Sequence, residues 1–349
     1  MRASGLGAMS VEVGVRAAVA VAVPLLLLLA VGRLDLAAYV TFGAFTALYG
    51  RNEPYRLRIR SVTIAGTGML TAIALGVGVA VLGNPLALRA AVLVVLVAAG
   101  TVVAAAFQLL PAQPLFFVFA LLVCSALPTP AAAALPRIAL AASVAAFAWL
   151  LTMSGWTVRR ILRNRFDRAA RSPVLLKELR RRPSVDCGAL RDPRIWLTVA
   201  QNVVGVLIAG GIARLFGLGH AYWALVSVVA VIPPARAAHS ISRSLHRIAG
   251  TIAGVIVTAA VLVWSPPPLV VIVVIVVCQF FAEILVGRHY GWALVFVTPM
   301  ALSVSHLASL APLGVLVVDR VFETVLGAAV GIALVLLARG VESRIGTAS

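Results

Sequence analysis

Ionisable side chains inside apolar runs are the residues of this sequence that can do chemistry. Glu283 stands in the run Leu269 to Val286, with Gln279 one helical turn before it. Arg320 and Glu323 fall at i, i+3 where the last long run begins, beside Asp319, and Arg137 opens the corresponding run of the first half, where Leu140 replaces the glutamate. A charge in hydrocarbon is costly unless it is paired or faces water, so such residues are functional candidates by default. Arg137 and Arg320 have the fork geometry that binds carboxylates, with Glu323 to tune the second site. Glu283 is the candidate proton carrier, and His289, which opens the next run, is a second, because histidine titrates near neutral pH. Plainer roles stand beside these. Glu283 can pair with Arg288 at the interface, Arg320 can settle a helix end with Glu323, and His289 can be an ordinary loop residue.

Aromatic and hydroxyl side chains extend the set. Tyr39 and Tyr222 begin equivalent runs, with Trp223 next to the latter, either as walls for a ring-bearing substrate or as members of an interfacial belt. Thr298-Pro299 interrupts another run. Arg16, inside the first run, either reaches back toward Glu12 or lines a polar path.

Other chemistries find no support. The single lysine, Lys177, follows Leu175-Leu176 and is not part of a phosphate-binding loop. No metal-ligand spacing and no Gly-x-Ser-x-Gly elbow occurs, so neither an enzyme site, a cofactor nor a metal is expected. Cys124 and Cys278 lie in apolar runs and Cys187 in a basic stretch, a setting for inert thiols.

The elements that position these residues must be transmembrane helices. Of the 349 residues, 62% are hydrophobic and 11% charged, and the mean hydropathy is +1.08, well outside the make-up of soluble domains. Twelve apolar runs are predicted: 13–31, 36–49, 62–82, 90–107, 115–127 and 138–153, then 195–215, 221–232, 248–264, 269–286, 292–304 and 321–337. Backbone groups have no water to bond in the bilayer core, so the runs are helical and the fold is an all-α polytopic bundle. The apolar start of the chain imitates a signal peptide, but the polytopic sequence that follows favours a retained first helix.

Placing both termini in the cytoplasm puts 23 Lys and Arg on the inner side and five on the outer, so the formal net charge of +18 reads as topology rather than nucleic-acid binding. Ala38-Tyr39 leading to Ala65-Gly66-Thr67 recurs as Ala221-Tyr222 leading to Ala249-Gly250-Thr251, and Arg137 recurs as Arg320 at the same offset of 183 to 184 residues. Six runs per copy is an even number, which makes the two six-helix repeats parallel, 1–154 and 194–349. The linker, 155–193, carries Val158, Ile161, Leu162 and Phe166 at helical spacing among Arg159, Arg160, Arg163 and Arg165; Pro173 is expected to end that helix, and Arg180 to Arg182 add a basic cluster. It serves as a solvated connector, a helix on anionic lipid or a partner site. The second, fifth, eighth and eleventh runs are the shortest, flanked or cut by Pro111, Pro114, Pro233, Pro234 and Pro299. Short segments in corresponding places point to a substrate path between the halves.

Taken with their order, these motifs resemble the fusaric acid resistance protein-like and aromatic acid exporter family. The resemblance rests on Tyr222-Trp223-Ala224-Leu225, Ser244-Leu245-His246-Arg247 with Gly250-Thr251 and Gly254, Arg288-His289-Tyr290 through Thr298-Pro299, and Arg320 to Gly327. In the first half it rests on Phe42-Gly43-Ala44-Phe45, Arg56 to Arg60 with Gly66-Thr67, and Pro114 to Phe119. It implies a secondary exporter of small, often aromatic, carboxylate anions in the cytoplasmic membrane, driven by protons, with a homodimer as a further implication. The short linker departs from members with a large cytoplasmic region. A passive anion channel, or a scaffold that binds lipid or a partner through the linker, are the alternative functions.

Overall fold

The computed structural model describes residues 8–165, 181–219, 221–234, 241–309 and 313–347. Phe166, Pro173, Lys177, Arg180 and Arg236 lie outside them, as do the side chains of 155–165. The described residues are helical without a strand. Helices α1 (Ala8–Ala30), α2 (Ala37–Ala44), α3 (Tyr55–Val81), α4 (Leu86–Ala106), α5 (Leu115–Ala126) and α6 (Ala131–Arg165) form the first half. Helices α7 (Pro193–Leu215), α8 (Tyr222–Val231), α9 (Ile241–Leu262), α10 (Pro268–Leu285), α11 (Tyr290–Ser309) and α12 (Leu313–Thr347) form the second. Among the described residues nine of these are long and apolar enough to cross a bilayer, and α2, α5 and α8 are shorter. This is a multi-pass membrane protein.

Proline sets many of the helix starts. Pro54, Pro85, Pro114 and Pro267 stand at N-caps, and Asp192 caps α7 by accepting from the Arg194 N–H at 2.9 Å, with Pro193 at the first helical position. One expectation needs correcting. The eleventh run is not a broken half-helix, because α11 runs 20 residues straight through Pro299; Ser303, Ser305 and His306 shortened the apolar run without ending the helix. The start of the linker is helical as its spacing predicts, and its backbone is continuous with α6 to Arg165.

Packing is paired. In the first half α2 lies on α6, α3 on α5 and α6, and α4 on α5; in the second α8 lies on α12, α9 on α11 and α12, and α10 on α11. Between halves α1 meets α10 and α4 meets α7, while α5 meets α8 and α2 meets α11. Close crossings use small residues, as helices in lipid require for van der Waals contact. A Cβ on Gly43 of α2 would stand 2.6 Å from the Ala141 carbonyl of α6, and one on Gly327 of α12 would strike the Ala224 carbonyl of α8.

Candidate functional site

The four helices α2, α5, α8 and α11 surround a cavity of about 200 Å³ between the halves. Its wall includes Thr41 of α2, Phe45 just after it, Phe119 of α5, Tyr222 of α8, and Met300 and Ser305 of α11. The Tyr222 hydroxyl is hydrogen-bonded to Ser305. Aromatic rings close one end. Phe119 stands 5.0 Å from Phe42 edge-on and 4.8 Å from Trp223, and Phe45 stands 5.1 Å from Phe116.

Behind Tyr222 lies the Arg320 site. Trp223 is 4.9 Å from Tyr222 and carries the Arg320 guanidinium 3.8 Å over its ring, a cation–π contact that a desolvated setting strengthens. Arg320 is 1% exposed, and its Nε and Nη1 have no hydrogen-bond partner. Glu323, fully buried, accepts from the Trp223 backbone N–H at 3.2 Å. That donor is one of the free N–H groups at the start of α8, so the carboxylate of α12 caps the short helix and sits at its positive end. Arg247 of α9, also buried, donates to the Ser227 hydroxyl and the Tyr290 hydroxyl, both at 3.2 Å. In the sequence it stands only in the motif Ser244-Leu245-His246-Arg247, yet it belongs to this buried cluster.

The first half holds a simpler counterpart. Arg137 lies 5.2 Å over the Tyr39 ring and donates through Nη1 to the Tyr39 hydroxyl at 2.9 Å, the Thr129 hydroxyl at 2.5 Å and the Pro128 carbonyl at 2.9 Å. Its donors on that side are therefore engaged. Tyr39 faces this arginine, and Thr298 is buried against Gly254 of α9. Of the two tyrosines Tyr222 lines the cavity.

Glu283 joins a different group. The Arg51 guanidinium donates to the Glu283 carbonyl at 2.9 Å and lies 4.0 Å from its carboxylate, so Arg51 of the loop after α2 is the partner, where Arg288 was the alternative. Arg16 lies nearby, buried, and donates to the Ala47 carbonyl at 3.0 Å. That carbonyl is at the end of the helical segment following α2, where a cation is favoured. His289 is exposed in the turn before α11 and makes no contact with Glu283.

The end of the linker docks on the same side of the first half. Arg181 pairs with the fully buried carboxylate of Glu53 and with the Gln108 carbonyl, Arg60 donates to the Pro183 carbonyl at 2.7 Å, and the Asp186 N–H donates to the Ala106 carbonyl at 2.8 Å. Burial lowers the pKa of Arg181, and Glu53 acts against that shift. Sequence reasoning gave Glu53 no role. The signal was there, because Glu53 is the only carboxylate among the arginines of 51–60.

With that geometry in view, the comparison with known proteins falls on the second half. Residues 207–334 match the fusaric acid resistance protein-like family. The match spans Tyr222, Arg247, Glu283, Arg320 and Glu323, and so covers the motifs on which the resemblance of the second half rested. The chain is also similar to the "Uncharacterized membrane protein YvaC" of Bacillus subtilis (strain 168), 27% identical over 172 residues, which are 49% of this chain and 24% of that protein. The chain thus spans about a quarter of the length of the curated relative it matches. No solved structure matches it.

Proposed function

We propose that this fusaric acid resistance-like membrane protein is a secondary transporter that moves small organic anions, aromatic carboxylates among them, out across the cytoplasmic membrane in exchange for protons. The observation that carries the reading is the buried Arg320, with two nitrogens, Nε and Nη1, unbonded, stacked on Trp223 next to Tyr222 of the wall of the cavity between the halves. A guanidinium with open donors beside aromatic surface suits a planar carboxylate that carries a ring.

The proposed architecture is twelve spans in two parallel six-helix repeats with both termini in the cytoplasm. The matched packing supports it: α3 on α5 pairs with α9 on α11, α2 on α6 with α8 on α12, and α1 on α10 with α7 on α4. Arg320 and Glu323 form the loaded side of the path, Arg137 with Tyr39 the plainer one, and Tyr222 stands along it, while Thr298 packs against Gly254 of α9 and supports α11 from behind. Glu283 carries the coupling proton in its contact with Arg51 and Arg16, with His289 at the surface as an accessory proton acceptor.

The test is benzoate efflux from proteoliposomes under an imposed pH gradient. Arg320→Ala should reduce the flux about tenfold or more, the factor of one lost charge-assisted hydrogen bond. Glu283→Gln should leave benzoate moving down its own gradient while abolishing the dependence on pH. Wild-type flux that follows the benzoate gradient alone would make the protein a channel, and absent flux in correctly inserted protein would sink the reading.

A further inference from the structure

Two cavities lie where the halves meet. The one between α4 and α7, about 280 Å³, is the larger, but no aromatic side chain is among its described lining residues. Amides tie that seam together: Asn202 of α7 donates to the Gln113 carbonyl oxygen at 3.3 Å, and Gln113 donates to the Ile232 carbonyl at 2.9 Å. The central cavity is smaller and is lined by the rings of Phe42, Phe45, Phe119 and Tyr222.

Volume decides what such a cavity accepts. An apolar cavity of about 150 Å³ holds a benzene molecule, whereas drug-sized ligands occupy pockets of about 300 Å³ and more. At about 200 Å³ the central cavity takes one ring with a small substituent. A fused second ring needs a wall to give way, and close-packed interiors resist that because overpacking is costly.

The wall with most bearing on ring size comes from α5. That helix carries three phenylalanines, and two of them anchor it within the first half: Phe117 stacks on Tyr49 at 6.1 Å, and Phe116 lies 5.1 Å from Phe45. Phe119 reaches instead the rings of the second half, 4.8 Å from Trp223 and 6.4 Å from Tyr222, with Phe42 edge-on at 5.0 Å. Phe42 and Phe45 are buried, so Phe119 and Tyr222 are the rings that offer surface to a ligand, and the Tyr222 hydroxyl is held by Ser305. We propose that Phe119 is the specificity-determining residue of the central cavity and limits it to substrates with a single aromatic ring. The proposal rests on the reading that this cavity receives the ring of the transported anion. Truncating Phe119 adds the space of its ring to the cavity, while Phe42, Phe45 and Tyr222 keep the other walls.

The test measures binding apart from transport. Radiolabelled benzoate bound to the full chain in detergent is displaced by unlabelled benzoate or by 2-naphthoate, which adds one fused ring to the same carboxylate. In the wild type 2-naphthoate should need a concentration about tenfold higher than benzoate, the factor of a modest overpacking cost. In Phe119→Ala the ratio should fall to about one or below. Phe119→Leu, the milder truncation, should move it the same way by less, and it carries the test where the alanine variant does not fold. The ratio is taken within one preparation, so a loss of active protein cancels. Equal displacement by both acids in the wild type, or a ratio that truncation leaves unchanged, overturns the proposal, as does a wild type that binds no benzoate. Two outcomes separate it from the transport reading. The expected ratios in a protein that moves no benzoate would keep the size limit and remove the transporter, whereas benzoate flux with an unchanged ratio would do the reverse.

Discussion

At the scale of single residues, the buried charges divide into those with a partner from another element and those without a complete set. Glu53 is held by Arg181 across 128 residues of sequence, and its second carboxylate oxygen has no hydrogen bond. Removing one partner of a buried pair strands the other, which costs more than the pair itself contributes. Arg181→Ala should therefore lower the thermal stability of the detergent-solubilised protein by about 2 kcal/mol, discounted from the fully buried case because Arg181 keeps some solvent contact, and adding Glu53→Gln should restore most of it. Equal losses that simply add would show that the two do not interact. The sequence made Arg320, Glu323, Glu283 and Tyr222 legible, because a charge or a phenol in an apolar run stands out. It did not reveal Asn202, Gln113 or Glu53. Single amides interrupt hydropathy too little to register, and a pairing across that much chain leaves no local spacing to read. Trp223 was visible as a neighbour of Tyr222, but its place beneath Arg320 depends on α8 and α12 crossing.

At the scale of elements, the apolar runs fall on helical segments among the described residues, nine of the helices being long and apolar enough to cross a bilayer, since a backbone in hydrocarbon must hydrogen-bond within itself. Lengths were less legible than positions. Ser305 cut the eleventh run short in the sequence because it faces the central cavity, and α11 continues past it. A proline within a transmembrane helix is tolerated where neighbouring groups take up the freed carbonyl, so Pro299 did not break α11. The crossings show why position matters more than propensity. The α2/α6 crossing puts its glycine, Gly43, on α2 against Ala141 and Val144, whereas the corresponding α8/α12 crossing puts Gly327 on α12 against Ala224 and Ser227. The same closeness is reached from opposite sides. At Gly327 the obstacle is backbone, which cannot rotate away as a side chain would, so Gly327→Ala should destabilise by about 3 kcal/mol, the upper end of overpacking costs. Thermal unfolding of the purified variant checks this. A variant as stable as the wild type would mean that α8 and α12 separate at no cost.

At the scale of the molecule, packing brings together segments that are far apart in the sequence. Charge counting puts 51–60, 155–194 and the turn at Arg288 on one side. Packing brings Arg51 to Glu283 and Arg181 to Glu53. The two cavities fall to either end of the α5/α8 pair. Gly219, Leu127 and Ala308 mark the outer reach of the central one, and Arg181, Gln108 and Pro234 mark the side of the other. A bundle of parallel repeats predicts that Cys187, exposed after the linker, faces the cytoplasm and that the turn at Ser265, between α9 and α10, faces outward. In intact cells a membrane-impermeant maleimide should leave Cys187 unlabelled and should label Ser265→Cys in a Cys187→Ser background. The reverse pattern would invert the protein, placing its basic segments outside against the bias that orients membrane proteins. Labelling of both positions would require an even number of spans between 187 and 265, where the proposed bundle has the three helices α7, α8 and α9, and with it the parallel relation of the halves would fail.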